Sequence, residues 1–255
     1  MELFNSFKNK KILITGHTGF KGSWLSAWLN LLGAKVIGVS SDIPTKPSHF
    51  EILNLKDIES YYLDIRNFNE IRNLVVNKNP DFIFHLAAQS LVIKSYRDPL
   101  NTWSTNLMGT VNLLESLKSL EDKCIAVFIT SDKCYDNLEW NWGYREIDKL
   151  GGGDPYSGSK GAAEIAISSY YRSFFKQNGN IRIASARAGN VIGGGDWSKN
   201  RLIPDCIRAW SEGQCVNLRN PDSTRPWQHV LEPLSGYLNL AFHLNKNNKL
   251  NGKSF

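Results

Sequence analysis

Residues 11–32 read KILITGHTGFKGSWLSAWLNLL, and this stretch decides the fold. Residues 11–15 are mostly apolar and rich in isoleucine, which is typical of a short buried strand. Glycines follow at Gly16, Gly19 and Gly22, and residues 20–32 carry apolar side chains at helical spacing. A strand, a glycine-rich turn and a helix in this order predict a unit whose turn can bind phosphate.

Further strand-like runs occur along the chain at residues 35–40, 61–65, 81–86, 125–131 and 181–186. Helical stretches lie between most of them. Strands that alternate with helices predict right-handed crossovers and a parallel sheet covered on both faces. The expected fold class is therefore α/β, a doubly wound (Rossmann) sheet, in which ligands bind at the carboxyl ends of the strands.

The second part of the chain differs from the first in composition. After about residue 187 the sequence consists of loops rich in Gly, Asn and Trp, with helices expected at 201–212 and from 231 onward. We therefore predict a Rossmann domain over residues 1–187 and a smaller, incomplete substrate lobe over 188–255. The terminal residues NKNNKLNGKSF are polar, and no further strand or packed helix is expected there.

Composition excludes several classes of protein. The chain has 255 residues, 42% hydrophobic and 21% charged, which are values of a globular protein rather than a disordered or disulfide-stapled one. No apolar run approaches the roughly 18 residues of a membrane span. Thirty Lys and Arg against 24 Asp and Glu give a net charge of +6, which fits either an anionic ligand or an ordinary solvated surface and does not predict nucleic-acid binding.

Cys124, Cys134, Cys206 and Cys215 have neither C-x-x-C spacing nor the spacing of a Cys/His metal site. The N-terminal residues lack the apolar core of a signal peptide. We therefore expect a soluble protein of the reducing cytoplasm, with no metal ion and no membrane partner.

The glycine turn predicts where a dinucleotide cofactor binds. Glycine lets the backbone approach a pyrophosphate closely, and the free N–H groups at the start of the next helix attract its negative charge. The expected contacts in this turn are Gly16, Thr18, Gly19, Phe20 and Gly22. Near the end of the second strand, Ser40 stands where an acid is expected to bind ribose hydroxyls, and Asp42 lies two residues later. Either side chain can bind the ribose hydroxyls, and we predict NAD rather than NADP as the cofactor.

Tyr156 and Lys160 are four residues apart in a helix expected to run to about residue 175, so both project from one face. A free tyrosine, with a pKa of about 10, is a poor base at neutral pH. A neighbouring ammonium favours phenolate, so we expect Lys160 to lower the pKa of Tyr156. Alone, such a tyrosine–lysine pair occurs on many surface helices. Because it follows a glycine-rich turn in the chain, here it predicts hydride-transfer chemistry.

Longer motifs carry a resemblance to a known family. In chain order, beside TGHTGFKG at 15–22, they are HLAAQS at 85–90, NLMGT at 106–110, TSDKCYDN at 130–137, DPYSGSK at 154–160, RAGNVIGGGDW at 187–197, RLIPD at 201–205 and RPWQHV at 225–230. With these motifs the chain resembles the extended short-chain dehydrogenase/reductases over nearly all its length, and within them the nucleotide-sugar 4,6-dehydratases. The pair Asp132-Lys133, with GHTGFKGSWL, GGGDW and RPWQHVLEPL, is similar to the branch that acts on CDP-glucose.

The resemblance implies a lyase that borrows and returns a hydride. Tyr156 with Lys160 would remove the proton of the sugar 4-hydroxyl as hydride passes to NAD, and Ser131 would hydrogen-bond the same oxygen. The resulting ketone makes the hydrogen on carbon 5 acidic. Lys133 would take that proton, and protonated Asp132 would donate to the departing 6-hydroxyl. Hydride would return to carbon 6, giving CDP-4-keto-6-deoxyglucose.

Further contacts follow from the same resemblance. It implies cofactor contacts from Asp64, Ile65, Leu86, Ala87, Ala88, Gln89 and Asn106. It implies substrate contacts from Asn190, Arg219 and Arg225, and arginine suits bidentate binding of a diphosphate. The family also forms homodimers or larger homo-oligomers through helices that correspond here to residues 101–120 and 156–175.

Three alternatives stay open. A nucleotide-sugar 4-epimerase would use Ser131, Tyr156 and Lys160 without needing Asp132 and Lys133 as an acid–base pair. A dehydratase could act on another nucleotide. Because family members usually continue beyond the position of residue 255 with residues that wall the sugar pocket, a nucleotide-sugar-binding fragment without turnover is the third alternative.

Overall fold

A computed structural model describes residues 2–218 and 220–255. Its central sheet contains β1 (Lys11–Thr15), β2 (Lys35–Ser40), β3 (Glu59–Tyr62), β4 (Phe82–His85), β5 (Cys124–Ile129) and β6 (Ile181–Ala186). All neighbouring strands are parallel, in the order β3-β2-β1-β4-β5-β6. The strand order reverses between β1 and β4, so the crevice at their carboxyl ends is the expected ligand site. The predicted doubly wound α/β fold is confirmed.

A small parallel pair, β7 (Asn190–Ile192) and β8 (Trp227–His229), lies outside this sheet. The α-helices are α1 (Glu2–Asn5), α2 (Phe20–Leu31), α3 (His49–Leu53), α4 (Phe68–Lys78), α5 (Val92–Arg97), α6 (Pro99–Trp103), α7 (Gly109–Leu117), α8 (Pro155–Tyr170), α9 (Leu202–Ser211) and α10 (Leu231–Lys246). Wider π turns follow α6 at Ser104–Met108 and α8 at Tyr171–Phe175, and short 3-10 turns lie at Asp132–Cys134 and Asn248–Leu250. Among the described helices, none is long and apolar enough to cross a bilayer.

The core consists of one apolar layer on each face of the sheet. Successive side chains of a strand point to opposite faces. Ile12 and Ile14 of β1 therefore pack in the layer that contains Leu25 of α2, whereas Leu13 packs in the layer that contains Leu113 of α7. Helices cover both faces of the sheet, which explains why β1, β2, β4, β5 and β6 are short apolar runs. The edge strand β3 is largely exposed.

Five of the predicted strands coincide with observed strands to within two residues at either end. The exception is the strand expected at 61–65, which runs instead from Glu59 to Tyr62. This edge strand pairs only with β2, and the last residues in register are Ser40 and Tyr62. The ladder ends there because its partner strand ends there.

As expected, the described residues near 255 form no further strand, but Ser254 makes an isolated parallel bridge with Ser185 of β6. Gly252 N donates to Ile183 O at 2.7 Å, Ser185 N donates to Lys253 O at 3.1 Å and Arg187 N donates to Phe255 O at 2.7 Å. Unpaired backbone groups along an edge strand need partners. These terminal residues supply partners for β6.

The division into residues 1–187 and 188–255 stays a prediction. Part of the second segment nevertheless packs onto the sheet of the first. Val230, Leu234 and Leu238 are fully buried in the same apolar layer as Ile12 and Leu25. The helix α10 therefore covers one face of the Rossmann sheet rather than lying in a lobe apart from it.

Replacing Leu25 by alanine is expected to lower the free energy of unfolding by about 2–5 kcal/mol, because the side chain is fully buried between α2 and the sheet. Leu31→Ala on the same helix is the matched control, since Leu31 is 85% exposed, and it should change stability by less than about 0.5 kcal/mol. Denaturant unfolding measures both. Equal losses for the two variants would contradict the packing described above.

Candidate active site

The glycine turn is fixed by close backbone approaches. Gly16 has a φ of +78°, and a Cβ on it would lie 2.8 Å from the backbone nitrogen of Ala87. A Cβ on Gly22 would lie 2.0 Å from the carbonyl oxygen of Gly16. Both positions therefore require glycine. The turn lies directly between the ends of β1 and β4, where the strand order reverses.

The start of α2 is suited to bind a pyrophosphate. Gly19 caps the helix without a side-chain hydrogen bond to the first turn. The first N–H groups of a helix have no partner within the helix, and its dipole favours negative charge there. A turn in which Gly16, Gly19 and Gly22 carry no side chain, followed directly by the start of α2, fits the pyrophosphate of a dinucleotide cofactor.

Ser40 and Asp42 have different roles at the end of β2. The Ser40 hydroxyl is buried, accepts a hydrogen bond from Thr18 N at 3.2 Å and lies 3.0 Å from His17 Nδ1. Asp42 is exposed, and its backbone oxygen accepts from the Thr18 hydroxyl at 2.6 Å. Of the two, the Asp42 carboxylate is the group left available for ribose hydroxyls, while Ser40 holds the glycine turn.

The loops after β3 and β4 place the remaining predicted cofactor contacts. The Asp64 carboxylate is held by Arg66, whose hydrogen bonds keep the pKa of Asp64 below its ordinary value. Asn106 is buried, accepts from Gln89 N at 2.8 Å and donates to Gln89 O at 3.0 Å and to the Ser159 hydroxyl at 2.9 Å. These bonds use the polar atoms of the Asn106 side chain to fix the loop at 86–89. Its direct contact with a cofactor stays a prediction.

Histidine at the end of β4 has a structural position. His85 is buried between the hydroxyls of Thr15, at 2.7 Å, and Thr110, at 3.1 Å. Burial, with the nearby charge of Lys160, lowers the pKa of His85 to about 3, so the ring is neutral at physiological pH.

The start of α8 presents Tyr156 and Lys160 from one face. Asp154 caps the helix by accepting from Tyr156 N at 2.9 Å and Ser157 N at 3.0 Å, and Pro155 occupies the first helical position. Tyr156 and Lys160 are 8% and 6% exposed. Lys160 Nζ donates to Ile129 O at 3.5 Å, the last residue of β5, so the pair faces the carboxyl end of the sheet.

The expectation that the pKa of Tyr156 is lowered was wrong for the protein alone. Burial raises the pKa of Tyr156, and the hydrogen bond from Ser131 and the charge of Arg201 offset this only in part. Burial also lowers the pKa of Lys160 to about 8, although Glu164 opposes this shift. A phenol in a buried site loses its proton only with help from positive charge, so Lys160 must be protonated to act on it.

Ser131, Asp132 and Lys133 follow β5 directly. Ser131 caps a single 3-10 turn, accepting from Lys133 N at 3.3 Å and donating to the Asp132 carboxylate at 3.0 Å. This turn packs against α8. The structure thus brings together the five residues predicted as catalytic; their roles stay predictions.

A buried ion pair lies one turn further along the same face of α8. Glu164 lies one turn after Lys160 and contacts Arg187 Nη2 at 2.9 Å, with side chains 2% and 6% exposed. Its carboxylate also accepts from the hydroxyls of Thr130, Ser185 and Ser254. Burial raises the pKa of Glu164, but Arg187 and these hydroxyls outweigh it and hold the pKa below its ordinary value.

The predicted substrate contacts are only partly described. Asn190 begins β7 and pairs in register with Trp227, two residues after Arg225, so Asn190 and Arg225 lie at the same end of the small sheet. The Arg225 side chain is exposed and donates to Thr224 O at 2.6 Å. Arg219 lies outside the described residues.

Two cations of the site were missed by reasoning from sequence. Arg201, at the start of α9, pairs with Asp196 at 3.0 Å and donates to the Ser90 hydroxyl at 2.9 Å, and its charge acts on both Tyr156 and Lys21. Lys21, inside the glycine turn, donates to the Tyr237 hydroxyl at 3.3 Å. Arg201 belongs to a motif quoted above, RLIPD, and Lys21 is an ionisable residue in a phosphate-binding turn; both signals were available.

Comparison with known proteins gives a consistent result. The family model described as GDP-mannose 4,6 dehydratase matches residues 13–250. The CDP-glucose 4,6-dehydratase of Salmonella typhimurium is 55% identical over 246 residues, which is 94% of this chain and 68% of that protein. These matches confirm the resemblance that the motifs indicated.

Solved structures share the fold at low identity. The epimerase Mth375 from Methanothermobacter thermautotrophicus has a TM-score of 0.87 and 22% identity, covering 100% of this chain and 73% of that one. A double mutant of DesIV, a dTDP-glucose 4,6-dehydratase from Streptomyces venezuelae with NAD bound, has a TM-score of 0.82 and 21% identity, covering 96% and 74%.

The buried ion pair gives a pH-dependent prediction. Arg187→Met is expected to cost about 3–5 kcal/mol of stability at neutral pH, because it leaves the Glu164 carboxylate buried without its cation. Since the pKa of Glu164 is lowered in the folded protein, the pair stabilises fully above the ordinary carboxyl pKa and less as pH falls. The difference from wild type should therefore shrink below about pH 4.

Denaturant unfolding at several pH values measures this difference. Lys149→Met is the control, because Lys149 forms an exposed ion pair with Asp136 and its loss should leave stability nearly unchanged. A destabilisation by Arg187→Met that stayed constant from pH 7 to about pH 3 would contradict the assignment of charge to Glu164.

Proposed function

The chain belongs to the family described as GDP-mannose 4,6 dehydratase, and on that premise we propose that it catalyses the 4,6-dehydration of CDP-glucose to CDP-4-keto-6-deoxyglucose. One observation carries the proposal. The turn after β5, with Ser131, Asp132 and Lys133, packs against the face of α8 that presents Tyr156 and Lys160. Elimination through a transient ketone requires an acid–base pair next to a tyrosine that takes the hydroxyl proton during hydride transfer.

NAD is the proposed cofactor. When bound at the glycine turn, it would accept hydride from carbon 4 and later return hydride to carbon 6. The start of α2 would bind its pyrophosphate through free N–H groups. Asp42 would accept from its ribose hydroxyls, since Ser40 is already bonded to the turn. The loop at 86–89, fixed by Asn106, would line the nicotinamide side.

The first proton transfer is assigned to Tyr156. Its phenolate would take the proton of the 4-hydroxyl, while Ser131, which follows β5 directly, would hydrogen-bond the substrate oxygen. Lys160 keeps its own proton during this step and favours the phenolate by its charge. The burial of both side chains strengthens this interaction, because water screens it little.

The elimination is assigned to Asp132 and Lys133. Once carbon 4 is a ketone, the hydrogen on carbon 5 is acidic, and the amine of Lys133 takes it. Asp132, in its protonated form, donates to the 6-hydroxyl as it leaves as water. The Ser131 hydroxyl donates to the Asp132 carboxylate, which fixes that side chain at the end of β5.

Binding of the substrate's nucleotide is assigned to arginine and asparagine side chains near the small sheet. Arg225 and Asn190 lie at one end of β7 and β8, and Arg201 lies at the start of α9. Guanidinium groups match the geometry of diphosphate oxygens. The choice of cytidine follows from the similarity to the Salmonella typhimurium enzyme.

A homodimer is the proposed assembly. Exposed apolar side chains lie on α6, α8 and the π turns that follow them: Leu100, Met108, Ile165 and Phe174. The helices α6, α7 and α8 also pack on one another. Large exposed apolar side chains on packed helices favour burial against a second copy. The proposed location is the cytoplasm, consistent with four free cysteines, three of them buried.

The acid–base roles give a direct test. Asp132→Asn and Lys133→Met should each lower the rate of 4-keto-6-deoxysugar formation by about 100-fold or more, the usual contribution of general acid–base catalysis. Neither residue lies in the glycine turn, so NAD affinity, measured by fluorescence titration, should stay near wild type. Lys149→Met serves as an exposed control. Wild-type rates in both variants would contradict the acid–base roles assigned to Asp132 and Lys133.

Substrate choice is tested by turnover of CDP-, dTDP- and GDP-glucose, followed through the alkaline absorbance of the 4-keto-6-deoxysugar. We expect kcat/KM for CDP-glucose to exceed the others by about tenfold or more, a difference of about 1.4 kcal/mol. A preference for dTDP-glucose would contradict the assignment of CDP-glucose as the substrate. It would not contradict the assignment of 4,6-dehydration as the reaction. Tight binding without any product would favour the non-catalytic alternative.

A further inference from the structure

Residues 193–201, which we call the strap, run from the end of β7 to the start of α9. The first end of the strap packs on α2. A Cβ on Gly193 would lie 3.3 Å from Phe20 Cζ, and Trp24 Nε1 donates to Gly194 O at 2.9 Å. These contacts fasten the strap to the helix that begins in the glycine turn.

A histidine from α3 completes this contact. The His49 ring stacks on Trp24, with ring centroids 4.9 Å apart and an interplanar angle of 23°, and His49 Nδ1 lies 2.8 Å from the Ser23 hydroxyl oxygen. Gly195 has a φ of +86°, and a Cβ on it would lie 2.4 Å from His49 Cδ2. This position therefore requires glycine, and the close fit on His49 fixes where the strap leaves α2.

The other end of the strap is fastened to the loop after β4. Arg201 Nη2 donates to the Ser90 hydroxyl at 2.9 Å, and Arg201 Nη1 pairs with Asp196 at 3.0 Å. The Asp196 side chain is 5% exposed, so it holds the guanidinium in one orientation. Other N–H donors of Arg201 stay available for the substrate diphosphate.

Between its two ends the strap is bonded to α9. Arg208 Nη1 donates to Trp197 O at 3.2 Å, and Arg208 Nη2 donates to Ser198 O at 3.3 Å. Asn200 N donates to Asp205 Oδ1 at 3.2 Å. The strap and α9 therefore form one unit, which the contacts at the two ends of the strap fasten to α2 and to the loop after β4.

These two anchors lie on either side of the crevice where a dinucleotide is proposed to bind. The strands β1 and β4 are neighbours, and the strand order reverses between them. Trp24 lies on the helix that follows β1, and Ser90 lies directly after the loop at 86–89 that follows β4. A segment fastened at both places crosses the mouth of the crevice, over the pyrophosphate and the nicotinamide ribose of a cofactor bound there.

We propose that Trp24 and Ser90 are positioning residues that fasten the strap over the bound cofactor, so that the cofactor enters and leaves when the strap opens. The proposal rests on the proposed function, in which the site has to retain the reduced cofactor from the first hydride transfer to the second. Closure of a segment over an active site serves this purpose, because it keeps reactive intermediates away from solvent.

Weakening either anchor should speed cofactor exchange in both directions. A residue that only contacts the cofactor changes mainly the dissociation rate, whereas an anchor of the strap controls entry as well as release. Trp24→Phe removes the donor to Gly194 O and keeps an aromatic ring next to His49. Ser90→Ala removes the acceptor for Arg201. For each variant we expect NADH to associate and dissociate about 3- to 10-fold faster, the usual effect of one hydrogen bond, with a much smaller change in the dissociation constant.

Stopped-flow fluorescence of NADH measures both rates without any sugar. The free protein is mixed with NADH for association, and the NADH complex is mixed with excess NAD for dissociation. Wild-type rates in both Trp24→Phe and Ser90→Ala would overturn the proposal. Faster dissociation with unchanged association would also overturn it, because that result describes a contact with the cofactor rather than an anchor of the strap.

Each variant has a matched control that should exchange NADH at the wild-type rates. Trp28→Phe changes a tryptophan one turn later on α2, which packs on Phe4 instead of the strap. Ser119→Ala also removes a serine that accepts from an arginine, because Arg72 Nε donates to Ser119 at 3.1 Å. Ser119 lies between α7 and β5, at the opposite edge of the sheet from the crevice.

Turnover separates this proposal from the proposed function. With CDP-glucose, the amount of NADH released into solution per product formed should rise in Trp24→Phe and Ser90→Ala, and an unchanged amount would contradict retention by the strap. If the wild type forms no product while the exchange rates shift as expected, the proposed reaction fails and the role of the two anchors stands.

Discussion

The close backbone packing of the turn after β1 is the constraint on which the rest of the site depends. Gly16 lies against Ala87, and Gly22 lies over the carbonyl of Gly16, with no room for a Cβ at either position. This packing directs the start of α2 into the crevice where the strand order reverses. A cofactor bound there would extend toward the carboxyl ends of β4 and β5, where the side chains proposed as catalytic lie.

The ionisable groups of this crevice follow one another along one face of α8. Tyr156 and Lys160 lie on its active-site face, and Glu164 with Arg187 forms a buried ion pair one turn further along. Burial raises the pKa of the phenol and lowers that of the lysine, so each form needed for catalysis depends on neighbouring charges. Stability and reactivity therefore share the same few ionisable groups.

The sequence was sufficient for most of the sheet and for the motifs of the site, because strand periodicity and glycine spacing are local signals. The sequence did not predict contacts between residues that are far apart in the chain. The pairing of residues near 255 with β6 depends on an edge strand that needs partners, and the contact of Lys21 with Tyr237 joins residues far apart in the chain. The pKa of Tyr156 could not be predicted either, since it depends on how deeply the phenol is buried.

The proposed reaction requires that hydrogen leave carbon 4 and return to carbon 6 within one crevice, next to Tyr156. Incubation with CDP-glucose carrying deuterium at carbon 4, followed by NMR or mass spectrometry of the product, tests it most directly. The deuterium is expected on the methyl group at carbon 6 of the same molecule. Deuterium that remained at carbon 4, or was lost to solvent, would contradict it.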